Sequence, residues 1–543
     1  MKTKEESVKE KNINPAAKET EGDALRADLA EVIKRHSYGL DENRPDVVAK
    51  RAKKNQRTTR ANVENLFDAG TFIEYGALTI AAQRGRRSLD DLIERTPADG
   101  LIAGIGNVNG DIFPAEKSRC MVLAYDYSVL AGTQGFFNHK KKDRMLNLAH
   151  EERLPVVLFA EGGGGRPGDV DAEGVMVAGL DLRTFGLFGG LSGKVPVVGV
   201  VSGPCFAGNA ALLGCCDVII AAKNSNIGMG GPVMIEGGGL GVFKPEEVGP
   251  IDVQTQNGVV DIEVADDVEM VATTKKYLSY FQGTTAKWEA GDQTRLRKLI
   301  PENRRRAYDT RVVIRALADT DSFLELRPKF GPCMITGFIR IEGRPFGLIA
   351  NNCMHMAGAI EAEGADKAAR LMQICQAHNL PILSLCDTPG FMVGPEIEKR
   401  AQVRHVCRMF VIGSHLTVPY FTVILRRGYG LGVMAMARGG FHESFFTVSW
   451  PTGEFGGMGL EGAVKAGFKK ELEAIKDTAE REALYEKLVA QLYERGKAIN
   501  MAAHLEIDAV IDPADTRKWI VRGLSSAAAR AVPAADHKYV DPW

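Results

Sequence analysis

The stretch Leu154-Pro155-Val156-Val157-Leu158-Phe159-Ala160 runs straight into Glu161-Gly162-Gly163-Gly164-Gly165-Arg166. An apolar run with no polar alternation is the pattern of a strand covered on both faces. Pro155 stands near its start, where a missing N–H costs least. The same sentence is written again later in the chain. Leu380-Pro381-Ile382-Leu383-Ser384-Leu385-Cys386 leads to Asp387-Thr388-Pro389-Gly390-Phe391, at an offset of 380 − 154 = 226. A second strand repeats in the same order. Val195–Val201 enters Ser202-Gly203-Pro204-Cys205-Phe206-Ala207-Gly208-Asn209-Ala210, and Val418–Leu425 enters Arg427-Gly428-Tyr429-Gly430-Leu431-Gly432-Val433-Met434 (418 − 195 = 223). Upstream, the strand-turn-strand patterns Gly104–Gly110 and Gly337–Gly343 match at 337 − 104 = 233. Helical patterns at Arg144–Glu152 and Ala365–His378 lead into the repeated strand. Ordered anchors at nearly constant spacing predict an α/β fold made of two tandem domains from an internal duplication.

The length agrees, since 543 residues exceed one ordinary core. Residues 1–22, where Lys and Glu alternate without an apolar face, read as a flexible tail. The N-terminal domain is placed at 23–300 and the C-terminal domain at 301–543. Helix is expected over 23–70, over Arg304–Ala318 and along the charged stretch 461–504. A formal net charge of -1 points to neither nucleic acid nor a membrane surface. No apolar leader core and no run of about 18 apolar residues is present, so a cytoplasmic protein is expected. Nine cysteines without a C-x-x-C pair read as buried reduced thiols, with no metal site.

A strand that ends in glycines and opens a helix aims backbone N–H groups at one point, and the helix dipole adds positive potential there. Such a point suits a developing oxyanion. Gly163 and Gly164 with Ala207 and Gly208, and Gly390 and Phe391 with Leu431 and Gly432, are therefore the candidate catalytic positions. The plainer reading is that these glycines only allow helix and strand to pack closely. Gly162–Arg166 lacks the Gly-Lys-Ser/Thr ending of a phosphate loop, and Gly104-x-Gly106 lacks the third glycine of a dinucleotide turn. No histidine sits in triad or metal spacing, and Cys205 at a helix mouth reads as a small buried residue before a nucleophile. Lys140, Lys141 and Lys142 form either a solvated face or a nucleotide-phosphate site. Arg166 and Met434 complete the candidate substrate-binding set.

Taken together these motifs resemble the carboxyltransferase β subunits of biotin-dependent acyl-CoA carboxylases, of the propionyl-, methylcrotonyl- and acetyl-CoA type. In the first half the resemblance rests on the Gly104–Gly110 hairpin, Asp126-Tyr127-Ser128-Val129, Gly163-Gly164-Gly165-Arg166 and Gly203–Ala210. In the second it rests on Phe330-Gly331, Ile335-Thr336-Gly337-Phe338, Ala350-Asn351, Lys367-Ala368-Ala369-Arg370, Asp387–Phe391 and Trp450-Pro451-Thr452. It spans roughly residues 45 to 470. It implies two crotonase-like (ββα-superhelix) domains and a homo-oligomer, a dimer or trimer of dimers, in which the first half of one chain faces the second half of another. It implies that the first half binds a coenzyme A thioester as substrate, with Ala207-Gly208 at the thioester oxygen, and that Leu431-Gly432 holds the ureido oxygen of biotin. No Met-Lys-Met site is present. Biotin would be carried by a partner, a biotin carboxylase or biotin carboxyl carrier subunit. The implied chemistry needs only an enolate and a biotin anion stabilised by backbone N–H groups, consistent with the lack of a side-chain base. Met434 stands where the family carries an acidic residue associated with acyl-chain choice, which points to a less polar pocket floor. A carboxyacyl-CoA decarboxylase and a non-catalytic assembly subunit of the same fold are the other readings.

Overall fold

The computed structural model describes residues 26–543, apart from Pro167, Val170, 172–179, Arg305 and 528–538. The tail expected at 1–22 lies outside the described residues. Two mixed sheets carry the chain. The first contains β1 (Ile73–Glu74), β2 (Leu101–Asn107), β3 (Arg119–Tyr125), β4 (Val156–Phe159), β5 (Val197–Val201), β7 (Val218–Ala222) and β9 (Ile262–Val264), in that spatial order. A small side ladder pairs β6 (Pro204–Phe206) with β8 (Asn226–Gly228). The second sheet runs β10 (Leu324–Leu326), β11 (Met334–Ile341), β12 (Arg344–Asn351), β13 (Ile382–Thr388), β14 (Tyr420–Tyr429), β15 (Phe446–Ser449) and β17 (Ala509–Val510), with β16 (Glu454–Gly456) paired to the end of β14. In each sheet the opening strands are antiparallel and the rest are parallel.

The repeated apolar runs are β4 and β13, and every residue of both is buried. Parallel neighbours on both sides explain why they lack alternation. Four helices bracket the repeated turns: α1 (Phe136–Glu152), α2 (Gly208–Gly214), α3 (Ala362–Ala377) and α4 (Gly430–Met436). The duplication reaches the backbone angles. Leu130, Ala131 and Gly132 are left-handed, and so are Met356, Ala357 and Gly358, at the offset 356 − 130 = 226. A Cβ on Gly132 would lie 2.5 Å from the Glu161 carbonyl oxygen, and one on Gly358 would lie 2.5 Å from that of Asp387. Both turns therefore require glycine for the same close approach. Arg153 and Asn379, ending the two long helices, are left-handed too.

The change of offset from 233 to 226 has a local cause. β2 and β3 are joined by the connection 108–118, which includes a short helix, whereas β11 and β12 turn through Glu342-Gly343 alone. The helix expected over 23–70 is three helices, Ala27–Ser37, Pro45–Ala52 and Thr59–Leu66. Pro45 starts the second, and Thr58 caps the third through its side chain. The helix expected from Arg304 begins at Thr310, with Asp309 as its cap.

The halves are welded by the helix Asp267–Gln282. Its Tyr277 and Tyr280 rings meet Phe338 of β11 at 5.7 and 5.3 Å. Buried Arg327 and Asp261 pair at 2.7 Å across the same seam. Among the described residues no helix is long and apolar enough to cross a membrane.

Candidate active site

In the first half, β4 delivers the glycine turn beside the start of α2. A Cβ on Gly164 would sit 2.6 Å from the Ala207 Cβ and 3.5 Å from the Gly208 amide nitrogen, so the two segments touch backbone to backbone. The N–H of Gly163 donates to the Ala131 carbonyl at 3.1 Å, and that of Gly164 donates to Asn209 Oδ1 at 3.2 Å. The Ala207 N–H donates to the Gly228 carbonyl at 3.1 Å. Three of the four expected donors are thus spent on holding the turn. The amides left without an acceptor among the described residues are those of Gly165, at the exposed lip, and Gly208, the first residue of α2.

The second half gives the same arrangement. A Cβ on Gly432 would lie 2.7 Å from Gly390 Cα and 3.0 Å from the Phe391 nitrogen. The Gly390 N–H is taken by Thr388 Oγ1 at 3.1 Å. The N–H groups of Phe391 and of Leu431, near the start of α4, have no acceptor among the described residues. Left-handed φ occurs at Ala207 (53°) and at Gly430 (58°), which aligns Gly208 with Leu431 and Asn209 with Gly432. Each half therefore presents one amide from the strand-end turn and one from the helix start. Which N–H groups the turns consume is not legible in the sequence.

Two side chains of the first half that sequence reasoning did not single out, Asn209 and Gln134, brace the turn. Asn209 Nδ2 donates to the Gly132 carbonyl at 3.2 Å, while its Oδ1 accepts from Gly164 and, at 3.1 Å, from Gln134 Nε2. Gln134 Oε1 in turn accepts from Lys142 Nζ at 2.8 Å. Lys142 is fully buried, and burial holds its ammonium pKa well below the usual lysine range. Lys141 is buried as well and caps the turn before β2, donating to the carbonyls of Ala98 (2.6 Å) and Leu101 (2.8 Å). Its counterpart Lys367 does the same before β11, on the carbonyls of Arg327 (2.8 Å) and Phe330 (2.9 Å). The basic patch expected at Lys140–Lys142 is corrected accordingly: two of its three charges point into the protein, Lys141 onto backbone carbonyls that need donors and Lys142 onto Tyr125 Oη and Gln134 Oε1. Lys140 alone is exposed, with its ammonium 5.0 Å from the Phe136 ring centroid. Arg166 is also turned inward, paired with Asp99 and Asp169 and donating to the Thr133 carbonyl at 2.9 Å. Burial pushes the Cys205 thiol up, so no thiolate stands at the helix mouth.

Matching carboxylates precede the two turns. Glu161 receives Arg51 Nη1 at 2.8 Å, yet burial pushes its carboxyl up to about 7. Burial acts in the same direction on Asp387, but Arg427 (2.6 Å) and Arg426 (2.9 Å) outweigh it and hold the carboxyl below its usual range.

Beside Leu431 opens a cleft of about 580 Å³, lined by Met434, Phe441, Phe455, Leu460, Leu492 and Met501 among others. Helices Leu460–Gly467 and Thr478–Arg495, from the charged stretch, form its outer wall. Large apolar side chains stand exposed near both turns: Met229, Val233 and Leu240 after β8, and Val393 and Leu431 around the second turn.

The sequence matches the carboxyl transferase domain family over residues 50–539. It is 29% identical over 497 residues to the methylmalonyl-CoA carboxyltransferase 12S subunit of Propionibacterium freudenreichii subsp. shermanii, covering 89% of this chain and 91% of that one. It is 28% identical to the propionyl-CoA carboxylase beta chain of Saccharopolyspora erythraea, covering 94% and 95% of the two chains. Among solved structures, a single-chain, multi-domain long-chain acyl-CoA carboxylase superposes with a TM-score of 0.87 at 56% identity, over 92% of this chain and 49% of that longer one. The chain thus spans about half of that protein. The transcarboxylase 12S structure, a hexamer with methylmalonyl-CoA bound, gives a TM-score of 0.80 at 26% identity, over 95% and 99%. The tandem α/β halves therefore have the crotonase-like fold, and the chain belongs to the carboxyl transferase domain family as a carboxyltransferase enzyme.

Proposed function

We propose that this chain transfers a carboxyl group from carboxybiotin, borne by a separate biotin carboxyl carrier or biotin carboxylase subunit, to the α- or vinylogous carbon of an acyl-CoA. The observation that carries this reading is the pair of unspent backbone donors repeated once in each half: Gly165 with Gly208, and Phe391 with Leu431. Enolate formation and biotin release each develop one oxyanion, so two holes match the demand. Gly165 and Gly208 would hold the thioester oxygen. The Phe391 and Leu431 amides, with Leu431 on the wall of a mostly apolar cleft, suit the ureido oxygen of biotin with its bicyclic ring against Met434. When bound there, biotin supplies the carboxyl group and the base that accepts the substrate α-proton. The residues of this chain fix both oxygens. Gly163, Gly164, Ala207, Gly390 and Gly432 act one step behind, by setting the positions of the donors.

The holes lie on different halves, and the apolar side chains around each are exposed in the single chain. A homo-oligomer in which the first half of one chain caps the second half of another would bury both sets, as a dimer or trimer of dimers. A domain boundary at residues 300 and 301 would leave one whole sheet in each half, in keeping with this pairing. The enzyme would work in the cytoplasm with its carrier. The acyl group is read as long, because the long-chain acyl-CoA carboxylase is 56% identical.

The test is to supply free carboxybiotin with acyl-CoA substrates from acetyl-CoA to palmitoyl-CoA and to follow carboxyacyl-CoA by mass spectrometry. Product formation that rises with chain length supports the reading. Product only from short substrates refutes the chain-length part, and no product from any refutes the transferase.

A further inference from the structure

We propose a second ligand site at the opposite end of the strands of the first sheet, built to take a polyphosphate-class anion. A cavity of about 420 Å³ lies between the halves. Its rim carries Lys117 of the short helix Ala115–Ser118, Arg119 at the start of β3, Arg153 before β4 and Lys194 before β5. The glycine turns leave β4 and β5 at their other ends, so this cavity and the first hole are separated by the length of the strands.

Four cationic residues line the cavity, and among the described residues no carboxylate lines it. Lys117, Arg153 and Lys194 make no side-chain ion pair among the described residues; Arg119 has only Glu152, at 3.8 Å and about half exposed. Solvated charge usually disperses, or interleaves with the opposite sign as it does elsewhere on this chain. Four like charges around one concavity repel one another, and a multivalent anion would relieve that repulsion. The floor is firm. Phe281 and Gln282 of the welding helix form one wall, and His378 at the end of α3 forms the other. The His378 ring is buried, packs edge-on against Phe281 at 5.0 Å and has the buried Asp217 carboxylate 3.5 Å behind it, outside the cavity lining. The volume falls within the range that holds a small-molecule ligand. Arg and Lys together suit phosphate oxygens, through forked and point-charge contacts respectively. Because the walls come from both halves, a bound anion would also clamp the seam between them.

The experiment is isothermal titration of the full chain with inorganic tripolyphosphate at low ionic strength, repeated on the double variant Arg153→Gln/Lys194→Gln and in the presence of saturating free coenzyme A. Both substituted residues are exposed and lie outside the active site. The expected result is one site per chain, binding at least tenfold weaker in the double variant, unchanged carboxyl transfer, and no displacement by coenzyme A. Absent binding, or equal affinity in the double variant, overturns the proposal. Displacement by coenzyme A overturns it too, because the anion would then be held at the thioester site. Circular dichroism of the variant separates loss of binding from loss of fold.

Discussion

The two halves build the same hole by different means. In the first half the turn is held by a chain of polar groups, Lys142 to Gln134 to Asn209 to the Gly164 amide. At the corresponding positions the second half has Ala368, Ile360 and Gly432, and there the helix start rests directly on the Gly390–Phe391 peptide. The duplicated backbone is thus the shared element, and the filling beneath it was free to diverge. A buried polar chain has to be satisfied at every link, whereas a backbone contact needs only the absence of a side chain. The carboxylates before the turns differ in the same spirit, with one arginine for Glu161 and two for Asp387.

Each contrast can be broken separately. The largest effect is expected at Asp387, whose loss leaves two guanidinium groups unbalanced in the interior. Asp387→Asn should cost about 3–5 kcal/mol in chemical denaturation, while Glu161→Gln, which frees one arginine, should cost clearly less. Equal losses would erase the distinction. Next comes Gly432→Ala, which forces Gly390 and Phe391 apart and should lower carboxyl transfer about 100- to 1,000-fold, the scale of one lost oxyanion donor. In the first half Gly208→Ala meets only the Gln134 side chain, at 3.0 Å, and should be milder. Asn209→Ala tests the polar chain. It orphans the Gly164 amide and the Gln134 amide, for about 1–3 kcal/mol each, and KM for acyl-CoA should rise with little change in biotin dependence.

The smallest effect is one of pH. The Glu161 carboxyl titrates near 7 in the folded chain and near about 4.3 unfolded. The native state therefore holds a proton that the unfolded state has released, and stability falls as pH rises from about 4 to about 7. Asp387 works the other way, since its depressed carboxyl contributes stability above about 3.9 that is lost only in acid. Between pH 5 and 8 the Glu161→Gln variant should show a flatter stability profile than the parent chain. A parallel profile would mean that Glu161 does not titrate in that window.

The apolar runs, the glycine clusters and their spacing made the duplication and the place of both turns legible in the sequence, because burial on two faces and tight turns impose composition. Which amide is spent on which carbonyl is not written in composition. The left-handed residues at Leu130–Gly132 and Met356–Gly358 include two non-glycines each, and nothing in those residue types announces them. Lys141 and Lys142 looked like surface charge because buried lysine is rare, and only the carbonyls before β2 and the Gln134–Tyr125 pair explain them. Asn209 was visible as a letter in the turn, but its bonds to Gly132, Gln134 and Gly164 depend on atoms from two other segments.

The measurement closest to the central claim is biotin-dependent decarboxylation, run on the parent chain and on Gly432→Ala. Carboxyacyl-CoA is supplied with free biotin, and released CO₂ is followed together with acyl-CoA binding. Two separate holes predict turnover that needs biotin in the parent chain, and a variant that still binds acyl-CoA but releases little CO₂. Turnover without biotin, or a variant that loses acyl-CoA binding and turnover together, would contradict the division of labour between the halves.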